Sequence, residues 1–235
     1  MTLPKISHPQ IFIEIPSSKK KVIFRPFLVK EEKLLLMAKA SEDESDILLS
    51  VKQVVNNCAV DELDVNSLSL FDLEYIFIQL RAYSVNDQVQ VSYKDNEDEK
   101  LYDFEVNLKD VKVIFPEKVD NKIVINDSSG IVLKYPTSSL YEDKEFLSSG
   151  SDSFFQLIVR CMDKIYDGEE VFECSSYSKK ELESYLEELD INTFEKIREF
   201  MVSQPRLSYT IKYKNSFGND RSIELTTLSD FFTLR

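Results

Sequence analysis

The sequence predicts an α+β protein in which helices pack with small antiparallel β-hairpins. Longer stretches such as Ile47, Leu48, Val51, Val54, Val55 and Cys58 place apolar residues three and four apart, the period of a helix with one buried face. Shorter stretches alternate, as in Val89-x-Val91-x-Tyr93 and Tyr209-x-Ile211-x-Tyr213, the period of a strand. The strand-like stretches also come in pairs joined by polar tips, Asp95–Glu99 and Asn215–Asn219 among them, which is the mark of hairpins.

The elements follow in order. Ile11, Ile13 and Ile15 alternate, Pro16-Ser-Ser-Lys-Lys turns the chain, and Val22-Ile23-Phe24 returns, giving an N-terminal hairpin over residues 1–27. Residues 28–40 read as a helix with Glu31 and Glu32 in its first turn, where acidic groups suit the helix dipole. A second helix runs from Glu44 to Asn57. A third, Leu70 to Tyr83, is apolar on more than one face, so it belongs at the centre of the fold's own core or of a partner interface, the core being favoured.

Two hairpins follow: 89–93 with 104–108, then 122–125 with 131–134, which closes at Pro136. Residues 138–149 read as a short helix or a loop, and Ser153 to Ile165 as a helix with Phe155, Ile158, Val159 and Met162 on one face. Ser178, with Glu181 three residues on, has the capping-box pattern for a helix reaching Leu189. Another helix spans Thr193 to Ser203 and stops before Pro205, and a last hairpin pairs 207–213 with 223–225.

The two halves share an order of helix, helix and hairpin. Tyr93 and Tyr213, like Asp110 and Asp230, are separated by the same interval, which predicts a two-fold internal repeat. The expected organisation is therefore a hairpin over 1–27, a first α+β unit over 28–136 and a second over 137–235, with one continuous domain as the alternative.

Composition narrows the function. The chain has 29 Lys and Arg against 42 Asp and Glu, a net charge of −13. Such a surface repels phosphate backbones, so nucleic-acid binding through a broad basic face is not expected. No apolar run reaches the roughly 20 residues of a membrane span. Met1 to Lys5 lacks the apolar core of a secretory signal, so the chain is expected to stay in the cytosol. Cys58, Cys161 and Cys174 form no CxxC and read as free buried thiols.

His8 is the only histidine, which leaves catalytic triads without recognisable partners and rules out multi-histidine metal sites. The four glycines are far apart, so no phosphate cradle forms. The acidic run Asp95-Asn96-Glu97-Asp98-Glu99 lacks the Asp-x-Asp-x-Asp-Gly rhythm of calcium loops and reads as a hairpin tip. Neither long hairpin has the paired cysteines of a zinc ribbon at its tip. No catalytic, cofactor-binding or metal-ligating residue is expected.

The segment Phe24-Arg-Pro-Phe-Leu-Val-Lys-Glu-Glu-Lys-Leu-Leu-Leu-Met-Ala38 resembles the opening signature of T4-like phage baseplate hub proteins, a family also described as hub assembly chaperones. Four later stretches agree in order, beginning at Phe71, Glu105, Gly130 and Cys161. The resemblance implies a non-enzymatic role in building the baseplate hub of a contractile tail, as a transient factor or as a subunit kept in the virion. It implies other phage hub or tail proteins as partners, and the host cytoplasm or the virion baseplate as location. Phe24, Arg25, Phe27 and Lys30 are the candidate partner contacts, with an ordinary hairpin-to-helix junction as the alternative.

Overall fold

The computed structural model describes residues 6–41, 44–117 and 120–231; the Met1–Lys5 stretch lies outside them. Among the described residues are eight helices and eleven strands, the strands in small antiparallel sheets. Contacts divide the chain into two units, one made from Met1–Ile114 with Arg206–Arg235, the other from Phe115–Pro205.

The first unit opens with β1 (Ile11–Glu14) and β2 (Lys21–Phe24), paired so that Ile13 faces Val22. Alternation buries Ile11 and Ile13 and leaves Phe12 exposed. Helices α1 (Val29–Ser41), α2 (Glu44–Cys58) and α3 (Leu70–Ser84) follow. On α3, Phe71, Leu73, Ile76, Phe77, Ile78 and Leu80 are all at most 4% exposed, so its apolar excess is resolved as core.

Strands β3 (Gln88–Lys94) and β4 (Leu101–Asn107) form the long hairpin, followed by β5 (Lys112–Ile114). The end of the chain returns to this unit as β10 (Arg206–Lys214), β11 (Asp220–Leu225) and α8 (Leu228–Phe231). β10 pairs with β11 on one side and with β5 on the other, Leu207 facing Val113. α3 touches α2, β1, β5, β10 and α8, which is why its middle, Ile76 to Leu80, is buried on every side. Its buried polar groups are satisfied: Asp72 accepts from the Ser17 amide at 2.9 Å, and the Gln79 amide donates to the Leu108 carbonyl at 3.1 Å.

The second unit holds a four-stranded meander, β6 (Lys122–Val124), β7 (Ser129–Leu133), β8 (Met162–Asp167) and β9 (Glu170–Glu173), paired in that order. Between β7 and β8 lie the short α4 (Lys144–Leu147) and α5 (Ser153–Cys161); α6 (Lys179–Glu187) and α7 (Ile191–Val202) come after β9. Ile131, Leu133, Ile158, Val159, Ile197 and Phe200 are in its core. The capping box at α6 forms as its sequence predicts, with Ser178 donating its amide to the Glu181 carboxylate at 2.8 Å.

Three expectations change. The helix predicted over 153–165 ends at Cys161, because residues 162–167 find ladder partners on both sides: Ile165 faces Ile131 on β7 and Phe172 on β9. The units do not divide at 27/28 and 136/137, since pairing with β5 draws the last hairpin into the first unit. The internal repeat is not confirmed. The Cys161 helix leads into a strand instead of a second helix, and both long hairpins belong to the same unit.

Candidate functional site

The four residues singled out in the sequence lie at one junction but do different things. Phe24 is fully buried and bridges to Ala59, so it is core. Arg25 grips Glu31 with both ends of its guanidinium, Nη2 to Oε1 at 2.9 Å and Nη1 to Oε2 at 3.2 Å. It also donates to the Asn57 carbonyl at 2.8 Å. Glu31 has no exposed side-chain surface, and it accepts the Leu28 amide at 2.9 Å, closing the first turn of α1. Burial alone pushes the Glu31 carboxyl up. The Arg25 and Leu28 hydrogen bonds and the nearby cations outweigh it and hold the group below its ordinary value.

Phe27 is half-buried, its ring 5.7 Å from that of Phe77 and its amide donating to Ser84 Oγ at 2.8 Å. Together with Leu35 and Val85 these two rings line a cleft of about 310 Å³. Lys30 alone of the four is on the open surface, its side chain 65% exposed.

Beside Lys30 runs a stripe that the sequence reading did not single out. Val29 is 86% exposed, Leu36 47% and Met37 64%, with exposed Lys33 and Ala40 on the same side. Positions 29, 33, 36, 37 and 40 share one face of a helix. The signal was present in Leu34-Leu-Leu-Met37. At about 100° per residue, four successive apolar side chains sweep most of the helix circumference, so they cannot all face one core. Leu35 and Ala38 take the core side and Leu36 and Met37 face out.

The acidic run 95–99 is a hairpin tip, and its carboxylates are used within the fold. The fully buried Asp95 accepts from the Glu97 amide at 2.7 Å, from Arg221 Nε at 3.1 Å and from the Tyr213 hydroxyl. Glu97 takes the side-chain amides of Asn215 and Asn219, at 2.5 and 2.7 Å. Asp98 takes the Tyr102 hydroxyl at 2.6 Å and the Ser216 amide at 2.9 Å.

These bonds clasp the tip of the β3–β4 hairpin to that of β10–β11. The Tyr213 hydroxyl, then local amides and Arg221, hold Asp95 below the usual carboxylate range. At Asp98 burial opposes the same lowering, but the Tyr102 and Ser216 donors overcome it. Tyr213 is correspondingly pushed up to about 12 by burial and by its bond to Asp95. Among the described residues no group of three or more His, Cys, Asp or Glu could hold a metal ion.

His8 is partly buried in the irregular segment before β1. Burial pushes the thiols of Cys58, Cys161 and Cys174 up to about 11, 12 and 11, which keeps them protonated and poor nucleophiles. No helix among the described residues is long and apolar enough to cross a membrane.

A family model described as T4 bacteriophage base plate protein matches residues 8–233, nearly the whole chain. No curated protein matches the chain. No solved structure matches it either.

Proposed function

We infer the role of this chain from its family: it belongs to the T4 bacteriophage base plate proteins, and we propose that it assists assembly of the baseplate's central hub by binding other hub proteins without catalysis. The observation that carries the reading is the outer face of α1. Val29, Leu36 and Met37 present apolar surface to water next to the cations Lys30 and Lys33. An apolar strip rimmed by charge is the pattern of a protein-binding surface.

The buried Arg25–Glu31 pair fixes the start of α1 and so the direction of that face. Lys30 flanks it, whereas Phe24, Arg25 and Phe27 serve it from the inner side, Phe27 packing on Phe77. The high thiol values and the isolated His8 support a role without a reactive centre. Assembly of this kind takes place in the host cytoplasm.

Protein composition of purified phage particles tests the reading. An assembly factor is expected to be absent from finished particles while co-purifying with hub proteins from infected cells. Stoichiometric presence in the particles favours a structural hub subunit, and failure to co-purify with any baseplate protein overturns both.

A further inference from the structure

The second unit contains a feature that the α1 face does not account for. Between the turn end of its sheet, where β6 meets β7 and β8 meets β9, and α6 lies a cleft of about 490 Å³, within the range of ligand-sized sites. Its walls are Ile165 on β8, Phe172 on β9, Tyr177 before α6 and Tyr185 on α6, with Asp167 and Glu181 at its edge. Tyr177 is 42% exposed.

Among the described residues the Asp167 carboxylate has no ion-pair partner; burial first, and the Asp167 charge after it, push the Tyr185 hydroxyl up. Glu181 spends one oxygen on Ser178 in the capping box. Of the nearby cations, Lys164 is tied to Glu173 at 2.9 Å and Lys179 to Asp143 and Glu145 at 3.0 and 2.5 Å, while Lys122 already sits over the ring of Tyr166, 4.5 Å from its centre. Residues 115–205 carry 19 Asp and Glu against 10 Lys and Arg, so most of the chain's net negative charge is in this unit.

We propose that this aromatic, acid-edged cleft receives an arginine side chain from a partner protein. Aromatic faces attract a cation through their quadrupole, and an arginine stacks on them while its fork meets a carboxylate. Lysine fits the charge but not the planar stacking. A neutral side chain leaves Asp167 without a counter-charge. The inference rests on the reading that this chain works by binding other proteins, and it names the chemistry that one such partner must present.

The test has two arms. In the first, Nα-acetyl-arginine methylamide and its neutral isostere Nα-acetyl-citrulline methylamide are titrated into the full chain carrying ¹³C-labelled Tyr and Phe rings. The expected result is saturable shifts at Phe172, Tyr177 and Tyr185 with the arginine probe. They should weaken at least about tenfold with citrulline, on the strength of a charged contact relative to a neutral one, and be lost in Asp167→Asn/Tyr177→Leu. Equal binding of the two probes, shifts elsewhere, or no saturable shift overturns the proposal.

In the second arm the same double variant and the unaltered chain are used to capture baseplate proteins from infected cells, with melting temperatures compared as a control on folding. Reduced capture by a stably folded variant supports the cleft. Equal capture overturns the cleft proposal and leaves the protein-binding role standing. Capture by neither chain overturns the role itself, while the first arm still decides whether the cleft binds arginine.

Discussion

Replacing Arg25 with Met isolates the contribution of the buried pair. The substitution removes both bonds to Glu31 and the donor to the Asn57 carbonyl, and leaves a carboxylate with no exposed surface, its remaining partners the Leu28 amide and the exposed Lys30 ammonium at 3.6 Å. Breaking a buried pair from one side costs about 3–5 kcal/mol. In a chain of this size that is a fall of about 6–20 °C in melting temperature, at roughly 2–4 °C per kcal/mol. Removing both charges, as in Arg25→Met/Glu31→Leu, should recover much of the loss, because no uncompensated ion remains.

The pH dependence gives a second, independent sign. In the unaltered chain Glu31 is held below its ordinary value, so its contribution is present above the unfolded value and is lost as pH falls through the folded one. Without Arg25, burial raises the group, so the variant is penalised at neutral pH and relieved in acid. The stability gap between the two proteins should narrow steadily as pH is lowered. Urea unfolding across that range is the assay. A loss under about 1 kcal/mol, the range of an exposed pair, a double variant as unstable as the single one, or a gap that widens in acid refutes the reasoning.

Other consequences are local. At Gly130 an added Cβ would lie 2.5 Å from the Ile123 carbonyl oxygen and against the Tyr166 hydroxyl, so Gly130→Ala should cost about 1–3 kcal/mol in urea unfolding. Asp98→Asn should loosen the hairpin clasp and speed hydrogen exchange at the Ser216 amide. In the unaltered chain, where Asp95 and Asp98 are held low, that protection should persist at neutral pH and fade as pH drops through the lowered values. The three buried thiols should resist a disulfide reagent at pH 8 and react fully once urea unfolds the chain, as absorbance of the released thiolate will report.

Much of this fold was legible where local chemistry decides. The capping box at Ser178 and Glu181, the Asn215–Asn219 tip and the apolar girth of α3 each carry their instruction within a few residues. Residues 162–167 were misread because Ile158, Val159 and Met162 fit a helical period. What makes the segment a strand is the presence of partners far off in the chain at Ile131 and close by at Phe172.

The clasp was out of reach for the same reason. Asp95 looks like a solvated tip residue until Tyr213 and Arg221 arrive from 118 and 126 residues away. At the candidate site, the residues from Phe24 to Lys30 stand together in the sequence, but burial divides them. A side chain pairing with Ala59 or Glu31 has no local signature that separates it from one facing water.

The most direct measurement exchanges Leu36 and Met37 for Glu in a tagged chain and counts the baseplate proteins that come down with it from infected cells. Both residues are exposed, Leu36 by about half and Met37 by more, so stability should stay within about 0.5 kcal/mol of the unaltered chain. The account predicts that the unaltered chain brings hub proteins down stoichiometrically and that the double variant loses them. Undiminished capture by a folded variant would contradict it.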